Sequence, residues 1–258
     1  MDIVACIKET FDTQAKIVLD DNGNIDENDV KYVLNPFDEY AVEEAVSLKE
    51  RFGGTVTVVT ASARDPKGTV FYCLAMGADN AVIISDPAMK QCDAHVTALV
   101  LSRVLSTMRF DLIVCGREAI DDGASEIPSR LAALLDLPQV TVVSSLVVND
   151  GRIKAKRDID GGTELVSIYL PCLLSVQKGL NIPRYPSMRG IMMAKKKMIN
   201  HLRFSDLSID SKELQPFVRV QKISLSKLRK GGEIFTGSVK ESVTKLVEII
   251  QKRTSLCQ

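Results

Sequence analysis

The chain has 258 residues, 45% of them hydrophobic, enough for one large α/β domain with an extra arm or for two small domains. Lys plus Arg number 33 and Asp plus Glu number 33, so the formal net charge is zero and no global field favours nucleic acid or a membrane surface. Trp is absent and aromatics make up only 5%, which argues against stacking platforms for single strands; there is also no run of about 18 apolar residues, so no membrane-spanning helix is expected.

The first residues, MDIVACIKET, enter a strand over Ile3–Ile7 without a basic stretch and long apolar run ahead of it, so no secretory signal is expected and the cytoplasm is the expected location. A helix follows over Glu39–Phe52, with Val42, Ala45, Val46 and Lys49 at helical spacing. The pattern then alternates. Val56–Ala61, Ala81–Ile84 and Leu112–Cys115 are strands; Thr69–Met76, Ala94–Met108 and Ser125–Leu135 are helices. The strand runs are continuous and β-branched, as in strands buried on both faces. Their order predicts an α/β fold, a mostly parallel sheet flanked by helices. Val140–Val148 is a further strand. Arg152–Arg157, Asp158–Gly162 and Thr163–Leu170 then read as strand, turn and strand, a small antiparallel piece. Cys172–Val176 is one more apolar run.

The composition shifts after Gly179. Pro183 and Pro186 precede the basic run Ala194–Lys197, and Lys212–Gly237 is polar and irregular. Ser238–Gln251 is helical again, with Val239, Val243, Leu246, Val247 and Ile250 on one stripe. Residues 1–190 are therefore expected to form the α/β domain, and residues 191–258 an arm that needs something to pack against. The six cysteines form no CxxC pair and only His95 and His201 are available, so a zinc or iron–sulfur site is not expected. Cys6, Cys73, Cys115 and Cys172 lie inside apolar runs, as buried free thiols do, which fits a reducing compartment.

Three segments carry candidate chemistry. The loop Gly116–Ile127, GREAIDDGASEI, joins a strand end to a helix start, where free N–H groups and the macrodipole attract phosphate and where Gly123, Ala124 and Ser125 allow close approach. It is equally consistent with a plain connection capped by Ser125. Asn35–Asp38, NPFD, has the residues of a well-capped helix start. Lys195–Lys197, with Arg184 and Arg189, could meet an acidic partner or form a solvated face. There is no GxGxxG after the first strand, no GxxxxGK[ST], and no Ser/His/Asp or Cys/His arrangement. No catalytic side chain is expected; redox chemistry would have to be carried by a cofactor.

VACIK at Val4–Lys8, NPFDEYAVEEA at Asn35–Ala45, LAMGAD at Leu74–Asp79, GREAIDD at Gly116–Asp122, KRDIDGG at Lys156–Gly162 and AKKK at Ala194–Lys197 together resemble the beta subunit of electron-transfer flavoproteins, over essentially the whole chain. The resemblance implies an adenine-nucleotide alpha hydrolase-like domain whose pocket uses Ala5, Asn35, Pro36, Phe37, Asp38 and Ala61. To these it adds the loop residues Gly116, Arg117, Glu118, Ala119, Ile120, Asp121, Asp122, Gly123, Ala124, Ser125, Glu126 and Ile127. It implies an alpha subunit carrying its own FAD, wrapped by the C-terminal arm, and an FAD-dependent dehydrogenase docked by Met188.

The family has ordinary members, with AMP in the pocket, and bifurcating members, with a second FAD that takes a hydride from NADH and divides its electrons between ferredoxin or flavodoxin and the alpha-subunit FAD. Ordinary members carry Asn-Gln-Thr-Gly where this chain has Ser125, Glu126, Ile127 and Pro128, and Leu137–Val142, LPQVTV, resembles the bifurcating group, so the resemblance favours FAD, with Arg117 as a cation near the flavin. Glu126 stands where the family has Gln, and a carboxylate beside a pyrophosphate repels it unless turned away. The alternatives are a non-bifurcating beta subunit with structural AMP and a stand-alone adenine-nucleotide-binding regulatory domain of the universal-stress type. The latter expects a Gly-x-x-Gly run that the residues from Gly116 do not supply.

Overall fold

The computed structural model describes residues 1–28, 30–210, 212–225 and 231–254; Cys257 and part of the polar stretch Lys212–Gly237 lie outside the described residues. It comprises two units, Met1–Ile223 and Ser224–Gln258.

The first unit opens with β1 (Ile3–Cys6), then a two-stranded antiparallel ribbon of β2 (Glu9–Phe11) and β3 (Tyr32–Leu34). Next come α1 (Pro36–Phe52), β4 (Val56–Ser62), α2 (Lys67–Met76), β5 (Asn80–Ser85), α3 (Ala94–Leu105), β6 (Leu112–Gly116) and α4 (Ile127–Leu134). The chain continues through β7 (Gln139–Asn149), β8 (Arg152–Ile159), β9 (Gly162–Tyr169), β10 (Cys172–Val176), α5 (Met188–Ala194) and β11 (Ile199–Leu202). In the second unit, α6 spans Val239–Thr254.

One nine-stranded sheet runs in the order β11-β5-β4-β1-β6-β10-β7-β8-β9. The seven strands from β11 to β7 pair in parallel; β8 and β9 add antiparallel pairings. Every residue of β1, β6 and β10 is buried, because helices cover both faces. Alternation along β1 sends Ile3, Ala5 and Ile7 into the layer shared with α1 and α2, and Val4 and Cys6 into the layer shared with α3 and α4. Each fully buried Leu or Ile in these layers contributes about 1.5–3 kcal/mol.

The expected strands and helices are present, with shifted ends. α1 starts at Pro36 rather than Glu39; Pro suits the first turn, and Asp38 and Glu39 complement its dipole. β11 carries the sheet past residue 190, so the first unit extends to Ile223, beyond the boundary drawn from composition. Lys197, expected in a partner patch or a solvated face, is pulled inward instead: its ammonium donates to Leu74 O at 2.9 Å and Ala78 O at 2.5 Å. These are carbonyls at the C-terminal end of α2, where a cation belongs. Among the described residues no helix is long and apolar enough to cross a membrane.

Candidate functional site

β1 sits between β4 and β6, and the chain builds outward from it in both directions. The carboxyl ends of β1 and β6 therefore flank a topological switch point, where open α/β sheets hold ligands. A cleft of about 340 Å³ lies there.

Its floor is held by Asp38, in the first turn of α1. Asp38 Oδ2 accepts the N–H of Lys8, just past β1, at 2.7 Å, and Oδ1 accepts the N–H of Gly116, at the end of β6, at 3.1 Å. One carboxylate thus ties the two central strand ends together. It is only 5% exposed, and burial pushes its pKa up to about 7 against the opposing pull of its N–H donors. A Cβ at position 116 would fall on Asp38 Oδ1, which explains the glycine.

Asn35 has the type and position of a helix cap but makes no side-chain cap bond. Its amide instead reaches the loop: Nδ2 donates to Glu118 O at 2.8 Å and Oδ1 accepts from Ile120 N–H at 3.2 Å. The NPFD turn and the GREAIDD loop, far apart in sequence, are therefore one structural unit.

The loop is then shaped residue by residue. The N–H of Gly123 donates to Ala119 O at 2.8 Å, and Gly123 (φ +61°) and Ser125 (φ +55°) are left-handed. The expected Ser125 cap is not formed. The left-handed backbone turns the Ser125 hydroxyl back to donate to Glu118 Oε2 at 2.9 Å, and the helix begins two residues later, at Ile127. Glu126 occupies the cap position without capping; its carboxylate accepts from Arg130 Nε at 2.7 Å, one helical turn along. The N–H groups of Ser125 and Glu126 take no acceptor among the described residues, and those of the first turn of α4 have no side-chain cap. Uncapped N–H groups at a helix start form a ready site for an anion.

Of the residues singled out in the sequence, Asn35, Asp38, Ala61, Gly116, Glu118, Ala119, Asp122, Ala124, Ser125, Glu126 and Ile127 line the cleft. Ala5, Pro36, Phe37, Arg117, Ile120, Asp121 and Gly123 do not. Ala5 is fully buried and faces the α1 layer, one residue out of phase with the cleft; Cys6 lines it instead. The N–H of Arg117 continues the β6–β10 pairing to Val176 O at 3.0 Å, and its side chain lies 3.7 Å from Glu118.

The sequence reading missed Lys8 and the rim made by Met89, Cys92, Asp93, Ala94, Thr97 and Leu101. Both follow strand carboxyl ends on the same edge of the sheet, which was the available signal. Asp93 caps α3, accepting from Val96 N–H at 2.9 Å, and also accepts the N–H groups of Phe217 and Val218 at 2.8 and 3.0 Å. Cys6 and Cys115 face one another across β1 and β6. Hydrogen bonding of the Cys115 thiol with Cys6, followed by burial, raises its pKa well above the usual value, so it is no thiolate nucleophile.

A family model described as "Electron transfer flavoprotein domain" matches residues 22–207. The chain belongs to the electron transfer flavoprotein family. It is 37% identical to electron transfer flavoprotein subunit beta of Bacillus subtilis, over 99% of this chain and 100% of the relative. It is 35% identical to the corresponding subunit of Thermoanaerobacterium thermosaccharolyticum over 98% and 99%, and 35% identical to that of Bos taurus over 80% and 83%. Full-length beta subunits of electron transfer flavoproteins thus include counterparts of the stretch after β11.

Proposed function

We propose that the chain is the beta half of a heterodimeric electron transfer flavoprotein, and that the cleft between β1 and β6 holds an FAD by its phosphates. The observation that carries this is the loop 116–128: its carboxylates are engaged by other groups, while N–H groups at a left-handed turn and a helix start are left over. Ala124 and Ser125 let a phosphate approach the backbone, and Gly123 supplies the turn. Asn35 and Asp38 hold the loop against the strand ends, and Met89, Leu101 and Ile127 give the cleft an apolar wall that keeps water away.

When bound, the FAD would accept a hydride from NADH and pass electrons separately to ferredoxin or flavodoxin and to the FAD of an alpha subunit serving a dehydrogenase. Two further surfaces fit this role. Met188 opens α5, is 77% exposed and has exposed Tyr185, Met192 and Met193 nearby in sequence, an apolar surface suited to docking a dehydrogenase. On α6, Val239, Val243, Leu246, Val247 and Ile250 leave an exposed apolar stripe suited to the alpha subunit.

A structural AMP is the second reading. The cleft volume favours it, because about 340 Å³ is at the lower end of the 300–1,000 Å³ typical of small-molecule sites. Anaerobic titration of the purified heterodimer with dithionite, which reduces any flavin present, separates the two. The FAD reading predicts electron uptake corresponding to two reducible flavins per heterodimer; uptake by a single flavin supports AMP.

A further inference from the structure

The cleft is lined by Glu9, Asp38, Asp93, Glu118, Asp122 and Glu126, with Lys8 as the lining cation. Such a lining repels an anionic ligand unless each charge is engaged elsewhere. All six have partners of their own. Glu9 meets Arg64 at 2.9 Å, Asp38 and Asp93 accept backbone N–H groups, Glu118 accepts from Ser125, and Glu126 accepts from Arg130. Asp122 accepts the Ala124 N–H on Oδ1 at 3.0 Å, and its other oxygen, like Asp121 beside it, is neutralised by Lys8. Its ammonium donates to Asp121 Oδ1 at 2.7 Å and to Asp122 Oδ2 at 3.1 Å. Its main-chain N–H is meanwhile fixed to Asp38, so one residue spans from the cleft floor to the loop. Burial disfavours the ammonium, but the hydrogen bond and charge of Asp121, and then those of Asp122, outweigh it and hold the Lys8 pKa above its usual value.

We infer that Lys8 is a positioning residue for the nucleotide: it neutralises Asp121 and Asp122 and so lets the loop present its N–H groups to a phosphate. This rests on the reading of the cleft as a nucleotide site. It assigns Lys8 to the loop's acids rather than to the ligand itself, and it makes ligand affinity depend on a pair of carboxylates, one of which does not line the cleft.

The test is AMP binding to the nucleotide-stripped heterodimer, by calorimetry. Lys8→Met is expected to weaken binding about tenfold, the scale of one lost charge-assisted contact, and added salt is expected to narrow that gap by screening the exposed acids. Lys8→Arg is expected to retain most of the affinity. Adding Asp121→Asn and Asp122→Asn to Lys8→Met is expected to restore it, a rescue that a merely structural lysine would not show. Should Lys8→Met not fold, Asp121→Asn/Asp122→Asn with Lys8 retained is expected to bind AMP more tightly than wild type, and unchanged or weaker binding overturns the inference. Undiminished binding by Lys8→Met, or a triple variant as weak as Lys8→Met, also overturns it. If the wild-type heterodimer binds neither AMP nor FAD, the assignment of the cleft fails, and this inference with it.

Discussion

At the scale of single residues, Asp38 governs the site. Its folded-state pKa lies near 7 because burial outweighs its N–H donors, whereas an unfolded Asp titrates near 3.8. The folded state therefore binds the proton more tightly. The stability this contributes is fully present below pH 3.8 and is lost as pH rises through about 7. Denaturant melts of wild type and Asp38→Asn at pH 5 and pH 8 check the sign: the wild type loses stability relative to the variant as pH rises. At pH 5 the wild-type group is a protonated carboxyl with one good acceptor oxygen, as Asn has, so the two are expected to lie within about 1 kcal/mol of each other there. Gly116→Ala places a methyl against the same carboxylate and is expected to cost about 1–3 kcal/mol, with loss of nucleotide retention. None of this was visible in NPFD read alone, where Asp38 and Asn35 have the residue types of an ordinary helix start. Their partners, Lys8, Gly116, Glu118 and Ile120, are brought to them only by the sheet order.

At the scale of elements, α1 joins the cleft to the segment that follows β10. Its N-terminal turn holds Asp38, while Glu43 and Glu50 on its side bind Arg184. The Arg184 fork reaches Glu43 at 2.9–3.2 Å and Glu50 at 2.6 and 2.9 Å. Asn181 also donates to Glu44 at 2.9 Å. Glu43 is buried, so Arg184→Ala is expected to cost about 2–3 kcal/mol, less than breaking a fully buried pair because the Arg184 side chain is 34% exposed. Thermal melts measure the loss, and trypsin cleavage near Arg189 is expected to accelerate. In the AKKK run, Lys197→Met is expected to lower stability by about 1–2 kcal/mol through the lost carbonyl contacts, while Lys195→Met and Lys196→Met leave the melt unchanged. Unbroken apolar runs such as Leu112–Cys115 were legible because strands buried on both faces need them. β2, β3 and β11 were not: they have three or four residues, and INHL in β11 exposes its two polar residues at the sheet edge. The start of α4 was misplaced because a left-handed Ser125 carries no signal in residue type.

At the scale of the molecule, the α/β class followed from the alternation of buried strands and helices, and the location of the cleft follows from strand order, which residue pattern does not encode. Sequence similarity to the family pointed to the loop; the structure gives the loop its engaged carboxylates and leftover N–H groups. The second unit, Ser224–Gln258, has α6 with an exposed apolar stripe. A chain ending at Ile223 is expected to melt as the full chain does but to lose its association with the alpha subunit on size-exclusion chromatography. The central claim, that the β1–β6 cleft holds FAD, is tested most directly by counting nucleotides released from the denatured, freshly purified heterodimer. Two FAD per heterodimer is the predicted result; one FAD with one AMP, or one FAD alone, contradicts it.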